Sequence, residues 1–358
     1  MKWNKYSVLL VLLILLTVWF TATEIKEASF LKKCSTISIR YGTGGVNDQQ
    51  INKTLKNEKL KGKSNTPEVT AWCWIKEAEI KNKDFNRAQK VSVVVASGNM
   101  AFTVPMSLAS GNYVYRQDKK GCVIDTKTAY LLFGTEFAVG NMVSYDNKEY
   151  MIRGVVRAEY PVLLIQGAGN KQEYPNLELG YKDKEMGENL TEEFLLENGM
   201  ADYHVIIDGY FYGRIIYSLI NLPLWIFFLF ACYKTYKFFF YNSINIQKKG
   251  FYFLYGGILF LILVGFGFLL YRITGNPIYI PDKLIPTKWS DFDYWTKQVQ
   301  LIKSQILKIR YLTPNPKDVY LLDKISKVVL KVIVMFSLYM FIIIDIHILG
   351  LKKKISVF

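Results

Sequence analysis

Four runs of this chain are apolar at nearly every position, and the rest is not. They are 7–22 (SVLLVLLILLTVWFTA), 215–233 (IIYSLINLPLWIFFLFACY), 251–271 (FYFLYGGILFLILVGFGFLLY) and 328–349 (VVLKVIVMFSLYMFIIIDIHIL). About 20 apolar residues in a helix cross a hydrocarbon core of about 30 Å, and a helix satisfies its own backbone there. The pattern predicts four transmembrane helices. The first run has a second reading, a cleaved signal peptide. Its length and the bulky Trp19 and Phe20 near its end favour a retained anchor over a cleavage site.

Between the first and second runs the pattern changes. Segments 37–41, 69–80, 90–96, 122–125, 142–146 and 150–156 alternate or run β-branched between turn residues, as strands do. Asp146-Asn147-Lys148 predicts a hairpin. Residues 126–137 (TKTAYLLFGTEF) predict a short helix stopped by Gly134. Asn189, with Glu192 three residues on, predicts a capped helix ending at Gly199. A strand over 203–208 leads into the second run. Residues 42–67 are polar, which predicts a mobile arm. Residues 23–213 therefore read as an α+β domain inserted between transmembrane helices 1 and 2.

Charge orients the arrangement. Lys2 and Lys5 lie in the N-terminus, 1–6. Lys234, Lys237, Lys248 and Lys249 lie in the loop 234–250, and Lys352, Lys353 and Lys354 in the tail, 350–358. With four spans these clusters share one side, which the positive-inside rule makes the cytoplasm. The domain at 23–213 and the loop at 272–327 then lie outside. That loop is also basic, partly balanced by Asp282, Asp291, Asp293, Asp318 and Asp323. The formal net charge of +15 would suggest nucleic acid in a soluble protein. Here much of the excess flanks apolar spans, so the expected partner is the lipid bilayer, with no nucleic acid.

Within the outer loop, Pro277, Pro281 and Pro286 predict extended chain. Residues 289–312 then predict an amphipathic helix. Ser290 can cap it, with Asp293 at N3. Following Trp289, the residues Phe292, Trp295, Val299, Ile302, Ile306 and Ile309 form one apolar face, and Pro314 ends the pattern. Lys297, Lys303, Lys308 and Arg310 lie off that face. Three arrangements satisfy it: packing on the protein's own outer domain, lying on the outer leaflet, or binding a partner.

Candidate chemistry is sparse. His204 and His347 are far apart, and Cys34, Cys73, Cys122 and Cys232 form no CxxC. Cys34, Cys73 and Cys122 would lie outside, where one pair could bond and where buried free thiols serve equally well. Gly42-Thr43-Gly44-Gly45 lacks the Lys-Ser/Thr ending of a phosphate loop, and no Walker motif occurs. Asp345 and His347 sit a turn or two from Lys352 and read as end-of-helix residues reaching the interface. No catalytic, cofactor or metal site is expected, and the chain is not expected to be an enzyme. So few titratable residues in the spans suit force transmission better than ion transport.

One stretch carries a family signal. The run GCVIDTKTAYLLFGTEFAVGNMVSYDNKEYMIRGVV (121–156) has a strand, a helix carrying Ala129 and ending in Leu132-Phe133-Gly134, a turn with Gly140, and a hairpin ending in Gly154-Val155; Gly111-Asn112-Tyr113 precedes it. Gly134 suits a left-handed cap, Gly140 a tight turn, and Leu132 and Phe133 should bury just before the cap. The run resembles the MacB-like periplasmic core domain. The order of one span, the domain, then three spans resembles MacB/FtsX-type ABC transporter permeases. The resemblance implies a permease-like subunit in a bacterial cytoplasmic membrane. It further implies coupling to a separate ABC ATPase subunit, a homodimer, and action on a peptide, lipoprotein or envelope partner. Such permeases carry an acidic-glycine-arginine stretch near the cytoplasmic end of the second span. Here that region is the basic, aromatic YKTYKFFFYNSINIQKKG (233–250), which keeps open a membrane-anchored scaffold or sensor without ATPase coupling.

Overall fold

The computed structural model describes residues 5–33, 36–42, 44–62, 65–167, 172–184, 187–242, 249–275, 285–286, 288–312 and 314–355. The chain divides into two units. One comprises Met1–Lys32, Phe211–Asp291 and Asp323–Phe358; the other comprises Lys33–Tyr210 and Phe292–Leu322.

The second unit is built on one large sheet. Its strands are β1 (Ile37–Arg40), β3 (Glu68–Asn82), β4 (Arg87–Ser97), β5 (Ser107–Gly111), β6 (Gly121–Asp125), β7 (Met142–Tyr145), β8 (Lys148–Arg157), β9 (Val162–Gln166), β11 (Asn176–Gly180) and β12 (Val205–Asp208). They run in the order β12-β1-β11-β3-β4-β9-β6-β8-β5, with β7 bridging β3 and β8. A ribbon of β2 (Val46–Asn47) and β10 (Glu173–Tyr174) stands apart.

Side-chain alternation gives the sheet two buried faces. Ile37 and Ile39, Val93 and Val95, Leu163 and Ile165, and Leu177 and Leu179 point into one core. Against it pack α2 (Asp48–Lys61), α3 (Thr126–Phe133) and α4 (Gly187–Glu197) through Ile51, Ala129, Leu132, Phe194 and Leu195. Trp72, Val94, Ala96, Val123, Val156, Val162 and Leu164 form a second core on the opposite face.

The helix α2 overturns the expectation of a mobile arm at 42–67. The segment is polar, but Ile51 is fully buried and Leu55, one turn on, packs beside it. The ends are well made: the Asn47 side chain accepts from the Gln50 N–H at 2.9 Å, and Gly62 closes the helix in the left-handed region. Two apolar side chains at i, i+4 are too few to register as a periodic face, yet they suffice to dock a capped helix.

The 121–156 stretch folds as its pattern predicts, with smaller differences. Asp125 caps α3, accepting from the Thr128 N–H at 3.0 Å, and also accepts from the Val162 N–H at 2.8 Å, tying the helix to β9. The helix stops at Phe133, four residues earlier than 137, because Gly134 takes φ 76° and donates to the Tyr130 carbonyl at 2.8 Å. Leu132 is fully buried whereas Phe133 is only half-buried, so of the two predicted core residues Leu132 is the anchor. Asp146 and Asn147 both take positive φ, the geometry of a tight two-residue hairpin between β7 and β8. Gly111 pairs with Gly154 across β5 and β8. A Cβ on Gly154 would sit 2.4 Å from the Asn112 carbonyl oxygen, and one on Gly111 would sit 2.2 Å from that of Arg153. Both glycines answer a close backbone approach.

Further along, α4 starts at Gly187, so Asn189 lies inside the helix and the expected capping box with Glu192 does not form. The amphipathic helix α7 spans Phe292–Leu307, followed by a π turn at Lys308–Leu312. It begins two residues past Ser290, which lies in the preceding turn instead of at the cap. Pro277 and Pro281 lie outside the described residues.

The first unit is helical, containing most of α1 (Lys5–Lys33), α5 (Gly209–Asn242), α6 (Lys249–Thr274) and α8 (Pro316–Ile355). Among the described residues, three helical stretches are long and apolar enough to cross a membrane: Gly209–Lys237, Leu254–Thr274 and Pro316–Ile344. In α1 the buried positions Thr17, Thr21, Glu24, Ala28 and Leu31 recur at spacings of 4, 3, 4 and 3; in α8 Val328, Val332, Met335, Tyr339 and Ile342 do the same. The repeat is the 4, 3 spacing of a seam between two packed helices. Thr21 Oγ1 lies 3.1 Å from Tyr339 Oη, Lys331 Nζ is 2.9 Å from Glu24 and 2.7 Å from Glu27, and Lys324 Nζ is 2.6 Å from Glu27. Numbers rise along α1 as they fall along α8, so the pair is antiparallel. Phe227 of α5 stacks on Tyr339 at 4.9 Å, and Trp225 Nε1 donates to Thr274 Oγ1 of α6 at 3.0 Å.

Replacing a fully buried leucine by alanine costs about 2–5 kcal/mol. Leu132→Ala should therefore lower the unfolding temperature of the purified chain clearly, and Phe133→Ala by less. Equal losses measured by thermal unfolding would show that α3 is anchored otherwise.

Candidate functional site

The sheet's second face changes character at β1, β11 and the start of β3. Ile37, Ile39, Leu177 and Leu179 point to the first core, which leaves Ser38, Arg40, Asn176, Glu178, Thr70 and Trp72 on the other side. All of these are buried, with Glu178 and Trp72 fully so. A buried polar face needs partners, and four residues of a distant segment, Asn315–Asp318, supply several of them.

Glu178 is the hub. Its Oε1 accepts from Arg40 Nη1 at 2.9 Å and from Trp72 Nε1 at 3.1 Å; its Oε2 accepts from Thr36 Oγ1 at 2.7 Å, Ser38 Oγ at 2.6 Å and Lys317 Nζ at 2.6 Å. Arg40 also grips Asp318 with two parallel bonds, Nε to Oδ2 at 2.6 Å and Nη2 to Oδ1 at 2.7 Å, the fork geometry that suits guanidinium and carboxylate. Lys317 Nζ donates to the Phe102 carbonyl at 2.8 Å as well. Two cations thus meet two anions, and these bonds use both oxygens of each carboxylate. Removing charges from water is costly, and such saturation is the condition under which a buried cluster holds.

The local fold of 315–318 follows from its sequence. Asn315 Oδ1 accepts from the Lys317 N–H at 3.0 Å, and the Asn315 carbonyl takes the first helical bond, from the Val319 N–H, at 2.9 Å. Asn at the cap with Pro316 next is a strong helix start. Asp318, in the first turn, also complements the helix dipole. Asn315 Nδ2 donates to Asn176 Oδ1 at 2.8 Å, and Asn176 Nδ2 to the Trp72 carbonyl at 3.1 Å, extending the clamp along β11 and β3. Arg40 Cζ sits 5.7 Å from the Trp72 ring centre.

Burial alone would push the Glu178 carboxyl up; the Lys317 ammonium and the Arg40 guanidinium overcome this and hold it below its usual value. Burial pulls the Lys317 ammonium down, offset in part by Glu178. Arg40 is held above its usual value because Asp318 and Glu178 outweigh its desolvation.

The residues singled out from sequence fall elsewhere. Ala129, Leu132, Gly134, Gly140, Gly154 and Val155 belong to the scaffold of α3 and β8, and Phe133 packs at its edge. Gly140 donates to the Ile152 carbonyl at 2.8 Å with φ 92°. On α7, Phe292 and Val299 are exposed and Trp295, Ile302 and Ile306 half-buried; Ile309, in the π turn after it, is buried, and Trp289, ahead of the helix, is exposed. Cys73 and Cys122 are free thiols, and Cys34 lies outside the described residues. His204 accepts from the Gly42 N–H through Nδ1 at 2.9 Å. The side chains of Asp345 and His347 lie outside those described. Sequence reading missed the clamp, counting Asp318 only as a balancing charge. Two signals were present: Thr36, Ser38 and Arg40 alternating with apolar residues in β1, and the Asn315-Pro316 helix start.

No family model and no curated protein matches this chain. Solved structures do. The periplasmic region of MacB from Actinobacillus actinomycetemcomitans aligns at 15% identity and TM-score 0.40, over 51% of this chain and 92% of that one. The extracellular domain of the noncanonic ABC-type transporter YknZ from Gram-positive bacteria aligns at 14% identity and TM-score 0.37, over 48% and 99%. A domain of a putative permease protein from Porphyromonas gingivalis aligns at 14% identity and TM-score 0.29, over 46% and 80%.

Removing one partner of a buried charge cluster costs about 3–5 kcal/mol, so Glu178→Ala should destabilise the chain by that order. The pH dependence has a definite sign. Because the folded pKa of Glu178 is depressed, its stabilisation is complete above the unfolded value of about 4.3 and is lost as pH falls through the lower folded value. Glu178→Gln should flatten the acid limb of the unfolding temperature against pH. An unchanged limb would show that Glu178 is not held ionised by the clamp.

Proposed function

We propose that this chain is a permease-like subunit of an ABC transporter or mechanotransmission system. In this reading a separate cytoplasmic ATPase moves the membrane helices, and the sheet unit, outside a bacterial cytoplasmic membrane, acts on a peptide, lipoprotein or envelope partner. The observation that carries it is the clamp. The chain passes from α1 into β1 and from β12 into α5, and Lys317 and Asp318, in the first turn of α8, are ion-paired to β1 and β11. Strands β12, β1 and β11 are neighbours. Three helices thus engage one edge of a single rigid sheet, two covalently and one ionically. Such an arrangement passes helix motion to the sheet without any chemical step.

The membrane topology in this proposal has four spans. The seam between α1 and α8 supports the fourth, since α1 runs antiparallel along a helix that is long and apolar enough to cross. Both termini then share the cytoplasmic side, as the lysine clusters require. The helix α1 is a retained anchor, and a homodimer is the expected assembly. The basic 233–250 segment, without an acidic-glycine-arginine stretch, favours the second reading: a membrane-anchored scaffold or sensor in which the clamp fixes the domain statically.

A single experiment separates these readings. The full chain, purified in mild detergent from its own host, should bring down an ATP-binding subunit, and Glu178→Ala should retain that subunit while losing transport or signalling output. Purification free of any ATPase would favour the scaffold. With the native cysteines replaced by serine, an impermeant thiol reagent should fail to label Lys353→Cys in intact cells and should label it once the cells are opened. Labelling from outside would overturn the four-span topology.

A further inference from the structure

We infer that α7 is a membrane-surface helix whose apolar face enters the outer leaflet and whose basic flank binds anionic lipid headgroups; this rests on the outside placement of the loop proposed above. The helix Phe292–Leu307 buries none of its residues. Phe292 is 78% exposed, Val299 64% and Trp289, just ahead of the helix, 67%; Leu301, Leu307 and Tyr311 are exposed as well. A water-facing surface of this kind is a binding surface or a liability, and three observations point to lipid.

The first is charge. Lys288, Lys297, Lys303, Lys308 and Arg310 outnumber Asp291 and Asp293 over this stretch, and both acids lie at its start. Basic side chains on such a helix contribute about 1 kcal/mol each near an anionic membrane surface. The second is composition. Tryptophan at 289 and 295 and tyrosine at 294 and 311 are the residues enriched at headgroup level. The third is chain connectivity: α7 lies between α6 and α8, each carrying a stretch long and apolar enough to cross a membrane, so both its ends lead to the bilayer. Spanning is excluded by Lys297 and Lys303 in mid-helix, whereas a helix lying flat lets the stems of these lysines cover apolar surface while their ammonium groups meet phosphates.

The clamp gives the arrangement a fixed end. Asn315–Asp318 is pinned to the sheet, and the π turn at Lys308–Leu312 and α7 precede it directly. A lipid-bound α7 therefore holds the chain just ahead of the clamp at the membrane surface.

The test uses the full chain in vesicles of phosphatidylcholine alone or mixed with phosphatidylglycerol. Val299, exposed and so tolerant of change, is replaced by photoreactive benzoyl-phenylalanine. Irradiation should give a lipid adduct by mass spectrometry, at severalfold higher yield with phosphatidylglycerol. The double change Lys303→Glu, Arg310→Glu should remove the lipid-composition dependence. A crosslink from 299 to the sheet unit or to another protein overturns the inference, as does an adduct-free chain in both vesicles. A separate arm guards the premise: with the native cysteines replaced by serine, an impermeant thiol reagent should reach Lys297→Cys on intact cells. Labelling only after the cells are opened overturns the outside placement itself, whatever the crosslinking shows.

Discussion

A carboxylate that no water reaches must find its hydrogen bonds inside the protein, and Glu178 imposes that condition on the sheet unit. It sits at 0% exposure on the middle strand of β1, β11 and β3. Five donors from five residues answer it. Four are close to hand: Thr36 and Ser38 lead into and along β1, Arg40 is two residues on, and Trp72 lies across the ladder on β3. The fifth, Lys317, comes from outside the sheet and is brought by a helix start that Asn315 and Pro316 specify locally. With Lys317 comes Asp318, which neutralises the charge Arg40 has left over. Satisfying one buried group thus draws a remote segment onto the sheet, and long-range architecture follows from local electrostatics.

The same condition explains why one sheet carries two kinds of covering. Where α2, α3 and α4 supply apolar side chains, the strands facing them are Ile, Val and Leu, and the contact is non-directional packing. On the other face, near β1, the covering includes a single helical turn, the start of α8. One turn offers little apolar area, so it contributes little by burial alone. Charge-assisted bonds concentrate more energy in less surface. A short hook on a polar patch and broad helices on apolar strands are two solutions to one covering problem, set by how much surface each segment presents.

What the sequence disclosed follows from the same physics. Strands that alternate, the hairpin at Asp146-Asn147-Lys148, and the helix from Thr126 stopped by Gly134 were legible because each has a local cause within a few residues. The polar helix α2 was not, since Ile51 and Leu55 acquire their meaning only from a core contributed by other strands. Phe133 reads as a core residue beside Leu132, but successive helix positions differ by about 100° in direction, so both cannot point inward equally. The clamp was the least legible feature. Arg40 alternating with isoleucine looks like a solvent face, and only the structure shows Arg40 to be 1% exposed. Its partners lie in three separate parts of the chain, and no short-range pattern encodes their meeting.

The geometry of the clamp bears on what kind of connection it makes. A hydrophobic contact tolerates sliding, because burial depends on area and hardly on orientation. The fork of Arg40 on Asp318 tolerates little, because both N–H groups must meet both oxygens in one plane. Lys317 adds a second point of attachment on β11, and Asn315 a third through Asn176. Three separated points fix a body against rotation as well as translation. The first turn of α8 therefore cannot pivot on the sheet without breaking ion pairs that nothing apolar could replace in passing. Displacement of that turn is either resisted outright or transmitted to β1 and β11 together. An all-or-none connection of this kind is what the proposed coupling of helices to sheet requires, since a compliant contact would dissipate displacement.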